Sequence, residues 1–117
     1  MARTEEELHA LLLAQLTPAE REHGVAYTLA TPIPQGATLE FPSCTLQVPW
    51  PALLIFIDGD PRANWGHPCR YVLINRNTGE TRLVEARFPP MSRASSKYWR
   101  IAYRAPGVPD AALLAPL

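Results

Sequence analysis

Residues Ala52–Ile57 read ALLIFI, six apolar side chains in a row, closed by Pro51 on one side and Asp58-Gly59-Asp60-Pro61 on the other. A run this short between prolines cannot sustain a helix. An apolar residue at every position, rather than at every second one, predicts a strand buried on both faces, in the centre of a sheet. Thirteen prolines, about twice the usual share of roughly 5%, exclude long elements after residue 24, because proline interrupts helices and central strands.

Two further strands follow a polar loop. Arg70–Arg76 and Glu80–Arg87 flank Asn75-Arg76-Asn77-Thr78-Gly79, in which Asn and Gly are suited to positive φ at a turn. Phe88-Pro89-Pro90 ends the pair. Val25, Tyr27 and Leu29 alternate with smaller residues and predict an earlier strand, broken by Thr31-Pro32-Ile33-Pro34. Thr38–Phe41 and Cys44–Val48 are short strand candidates, with Cys44, Leu46 and Val48 on one side. Met91–Ser96 reads as a loop. Lys97–Arg104 is a last strand, with Trp99, Ile101 and Tyr103 forming its apolar side.

The N-terminal segment is helical. Thr4-Glu5-Glu6-Glu7 has the form of a capping box, its three acids suit the helix dipole, and Leu8, Leu12 and Leu16 recur at four-residue spacing, which predicts a helix over about 5–16. Thr17-Pro18-Ala19-Glu20 is a second start signal, with proline at the first helical position, and Gly24 is placed to stop the helix in a left-handed conformation. The expected fold is α+β: an N-terminal helix, plus a short second one, packed on a mostly antiparallel sheet of four to six strands. The 117 residues form one domain with a Pro-rich tail over 105–117.

The formal charge is zero but unevenly spread. Residues 1–61 hold two arginines against eight acids; residues 62–104 hold nine basic residues against two acids. Packing of the two halves against one another would neutralise both; an arginine-rich face for an acidic partner is the sharper reading. No window reaches the roughly 18 apolar residues of a membrane span, and the acidic N-terminus does not resemble a signal segment, so a cytoplasmic chain without membrane contact is expected. In that setting Cys44 and Cys69 are expected as free thiols.

The loop between the apolar hexamer and the hairpin concentrates the chemistry-bearing side chains: Asp58, Asp60, Asn64, His67 and Cys69. Carboxylates at a strand end can hold a hard metal or work as acid and base. His67 and Cys69 point the same way if the chain is extended, and an imidazole beside a thiol can generate a thiolate. Against this, Gly-Asp-Pro is ordinary turn chemistry, Cys69 is small enough for a core, and no CxxC or HxxH partner exists to complete a metal site. Neither a metal nor a cofactor is expected. Asp58, Asp60, His67 and Cys69 are the catalytic candidates if the protein is an enzyme. Trp50, Trp65 and Trp99 alternate as core residues would, and no nucleic-acid-binding motif is present, so binding through the basic half ranks third.

The hairpin Tyr71-Val72-Leu73-Ile74-Asn75-Arg76-Asn77-Thr78-Gly79-Glu80-Thr81 resembles the strand pair of peptidase-propeptide modules of the PepSY and FTP kind, where an apolar strand, a polar residue, Thr-Gly-Glu and a second strand follow one another. The resemblance covers about a tenth of the chain and implies a small α+β module that accompanies a peptidase as folding aid or inhibitor. It carries over no functional residue. The expectation is a non-catalytic protein-interaction or accessory domain, with Arg82, Arg87, Arg93, Arg100 and Arg104 as candidates for contact with a protein partner. The oligomeric state is left open.

Overall fold

The computed structural model describes residues 2–42, 44–63, 66–91 and 95–115. Helix α1 covers Glu5–Gln15 and α2 covers Pro18–His23. Strands β1 (Val25–Leu29), β4 (Ala52–Asp58), β5 (Cys69–Asn75), β6 (Thr81–Ala86) and β7 (Trp99–Arg104) build one antiparallel sheet in the order β6-β5-β4-β1-β7. The apolar hexamer therefore occupies the middle strand. Strands β2 (Thr38–Phe41) and β3 (Cys44–Gln47) form a separate two-stranded hairpin.

The even apolarity of β4 follows from its two covered faces. Ile55 and Ile57 pack with Ala26, Val72 and Ile74 beneath Leu8, Leu12 and Leu16 of the helical layer. Leu54 and Phe56 face the other way, among Tyr27, Tyr71, Leu73 and Trp99. That second face is not open to solvent. The β2–β3 hairpin lays Leu46 on it, and the segments that follow β3, β6 and β7 add Val48, Met91, Val108 and Ala115. β6 and β7 lie at opposite edges of the sheet, and Met91, which follows β6, is buried on the hairpin face. The tail over 105–115 tucks in likewise: the Leu114 N–H donates to the Tyr27 hydroxyl at 3.0 Å.

Register aligns an aromatic row on the hairpin face. Tyr27, Phe56 and Tyr71 are direct partners on three adjacent strands, and Phe41 of the hairpin stacks on Tyr71 with ring centroids 4.9 Å apart. Such pairs add about 0.5–1.5 kcal/mol beyond the area they bury, so Phe41 clamps the hairpin onto the sheet.

Local signals hold with four corrections. Thr17 and Glu20 complete the capping box of α2 (Glu20 N–H to Thr17 Oγ1 3.1 Å, Thr17 N–H to Glu20 Oε1 2.8 Å). At α1 only half the box forms: the Glu7 N–H donates to Thr4 Oγ1, but the Glu7 carboxylate turns to Arg3 at 3.5 Å. Gly24 is not left-handed; its φ is −100°. Its missing side chain matters for space, since a Cβ there would stand 2.8 Å from the Glu20 carbonyl oxygen and 2.9 Å from that of Asp58. In the β5–β6 turn only Gly79 takes positive φ (81°), and Asn75 serves through its side chain, whose Oδ1 accepts the N–H groups of Asn77 and Thr78. Finally, a bulge opposite Ala26 and Tyr27 breaks the alternation of β7, so Tyr103 pairs with Ala26 and leaves the side of Trp99 and Ile101. Its hydroxyl instead donates to the Arg21 carbonyl of α2.

Candidate functional site

Asp58 ends the central strand, fully buried on the hairpin face, where alternation continues the line of Leu54 and Phe56. Its Oδ1 accepts the Asp60 N–H at 3.0 Å and lies 2.9 Å from His67 Nε2. The first bond is turn chemistry; the second ties the far end of the loop back to the strand. Oδ2 is buried with no hydrogen-bond partner among the described residues. Sequence reasoning placed both side chains among the candidates of one loop without pairing them, and the fold brings their heads together. Asp60 contributes its backbone; the residue is exposed and lines a hollow with Glu22, His23 and Arg62.

Cys69 does not join this pair. Its thiol is 3.8 Å from the Phe88 carbonyl oxygen, its hydrogen-bond partner. Burial, with the Asp58 carboxylate next in weight and Cys44 after it, pushes that thiol up to about 12, partly offset by Arg87. A thiolate at neutral pH would need the opposite field, a nearby cation. Both cysteines are free thiols. Among the described residues no three His, Cys, Asp or Glu side chains come together to hold a metal ion. The Asp58–His67 pair is what orients an imidazole for acid–base work; in this fold it also closes the loop over 59–68.

The arginines are dispersed. Arg82 and Arg100 stand on β6 and β7, the two opposite edges of the sheet. Arg82 pairs with Leu73 and so shares the hairpin face; Arg100 pairs with Thr28 on the helix face. Both are exposed, and neither has a side-chain partner among the described residues. Arg104 pairs with Val25 on the hairpin face and is spent internally, on the Val108 carbonyl (Nε 3.0 Å) and Asp110 (2.6 Å). Arg87 donates to the Gly66 carbonyl at 3.1 Å. Arg93, Asn64 and Trp65 lie outside the described residues. Among the described residues, Arg70 with Glu20 and Arg76 with Glu5 pair arginines of the basic half with acids of the acidic half.

A site missed by sequence reasoning lies at the hairpin. A cleft of about 320 Å³ opens between the exit of β1, strand β2 and the start of β7. Leu29, Pro32, Ile33, Leu39, Phe41 and Trp99 supply its apolar wall, and Tyr98, 57% exposed, stands at its mouth. The signal was present in Thr31-Pro32-Ile33-Pro34: prolines at 32 and 34 deny β1 a continued ladder, and only Ile33 bridges to Ala52, through two 2.9 Å backbone bonds. The chain leaves the sheet there and the hairpin stands off from it.

No helix among the described residues is long and apolar enough to cross a membrane. Set against protein-family models, curated proteins and solved structures, the chain matches none.

Proposed function

We propose that this protein is a non-catalytic interaction domain that captures a protein partner through the hairpin cleft. The observation that carries the reading is the cleft itself, a preformed apolar concavity with an exposed tyrosine at its mouth. Its volume sits at the lower end of the range of roughly 300–1,000 Å³ typical of binding pockets, and aromatic side chains are favoured where proteins meet. The raised thiol of Cys69 supports a non-catalytic role, because the loop at 58–69 then lacks an activated nucleophile. An accessory role beside a larger enzyme, of the propeptide kind, is one form this function takes.

The test is selection of a displayed random-peptide library on the immobilised full chain. Peptides should be enriched, and Leu39→Arg, which sets a charge in the cleft, should abolish their binding while circular dichroism stays unchanged. A library that enriches nothing, or peptides indifferent to Leu39→Arg, would overturn the reading.

A further inference from the structure

The chemistry around the cleft specifies what it takes, on the reading that it is a protein-binding site. We propose that it receives one aromatic side chain from an extended peptide segment whose neighbouring residues are acidic. The anchor is neutral and apolar because the wall is: among the described residues Thr31, Ser95 and Tyr98 add hydroxyls to a lining of aliphatic, proline and aromatic side chains, and none of those lining residues is charged. About 320 Å³ has room for one large side chain. Tyr98, Trp99 and Phe41 offer ring faces and edges, which favours an aromatic guest over an aliphatic one.

The flanks are acidic because the cleft's surroundings are basic. Lys97 and Arg100 bracket Tyr98 and Trp99 in the chain, and both are exposed. Lys97 Nζ lies 5.3 Å from the centre of the Tyr98 ring. Arg100 lines a small hollow that shares Leu29 and Pro32 with the cleft, so its charge sits just across that segment. The carboxylate in the same hollow, Glu5, is bound to Arg76 at 3.1 Å. Glu40 alternates with Leu39 and Phe41 on β2 and is exposed on the side away from the cleft. A positive margin beside an uncharged pocket attracts a partner of opposite sign and sets its orientation. The segment is extended because β7 is an edge strand, with no strand paired to its outer side among the described residues.

The experiment uses the full chain and four fluorescent probes read by anisotropy: a peptide with one tryptophan flanked by aspartates, the same peptide with lysines for aspartates, the aspartate peptide with alanine for tryptophan, and an oligothymidylate. The first should bind about tenfold more tightly than the second at low salt, with the gap narrowing as salt rises, and the third should not bind. The variant Lys97→Glu/Arg100→Glu, at two exposed positions, should reverse the order of the first two. Equal binding of the acidic and basic peptides overturns this inference and leaves the interaction reading standing, as does failure of all three peptides when the display library still enriches others. Tighter binding of the oligothymidylate overturns it in favour of single-stranded nucleic acid.

Discussion

Arg70 holds Glu20 in a two-pronged grip, Nε to Oε2 at 3.0 Å and Nη2 to Oε1 at 2.6 Å, across fifty residues of sequence. The same Nη2 donates to the Gln15 carbonyl at 2.6 Å. One guanidinium on β5 thus satisfies the end of α1 and fixes the capping carboxylate of α2. Both side chains are largely buried, so the pair fixes how the helical layer sits on the sheet.

Arg70→Ala should cost about 3 kcal/mol, since it strands a carboxylate in a partly buried site. Arg70→Lys should recover little, because an ammonium cannot reproduce the planar fork. Urea denaturation of the three proteins measures this; a lysine variant as stable as the parent would mean that charge alone suffices.

The same pair sets an acid limit. Burial alone would raise the Glu20 carboxyl, but Arg70 and the Thr17 N–H outweigh it and hold the group below its ordinary value of 4.5. The folded state therefore binds fewer protons than the unfolded one in that region. The stabilisation is present above pH 4.5 and is lost as pH falls through the lowered folded value. Stability profiles should show this loss in the parent and a shallower one in Glu20→Gln.

Gly24→Ala should destabilise the fold by about 1–3 kcal/mol, the usual cost of overpacking. The backbone angle there suits alanine, so the effect isolates the clash with the Glu20 and Asp58 carbonyls. A thermal midpoint unchanged by the substitution would show that the α2–β1 junction can open.

Asp58→Ala and His67→Ala should each lower stability, by about 2 kcal/mol for the aspartate. In the double variant the losses should fall short of additive by about 1 kcal/mol or more, as for groups in direct contact. Strict additivity in urea melts would show that the 2.9 Å contact contributes nothing.

Cys69 should resist iodoacetamide in the native protein at pH 8, because burial and Asp58 keep the thiol protonated. Cys44, half-buried and raised less, should be alkylated first. Mass spectrometry of the time course decides it; faster labelling at Cys69 would restore that residue as a candidate nucleophile.

Much of the architecture was legible along the chain. The apolar hexamer announced a central strand because a strand covered on both faces has no side on which to place polar groups. The Thr17 box and the Gly79 turn were legible because their bonds join residues at most three or four apart. Alternation served until the β7 bulge, which moved Tyr103 to α2 and set Arg100 and Arg104 on opposite faces. The sequence also held Asp58 and His67 in one loop. Their 2.9 Å contact, the grip of Arg70 on Glu20, the roofing of the second face by the hairpin and the cleft beneath Leu39 were decided by tertiary structure alone. Each depends on how strands, loops and helices are laid against one another in the fold. Periodicity within a segment reports which side of that segment is covered; it does not carry the identity of the distant residue that covers it.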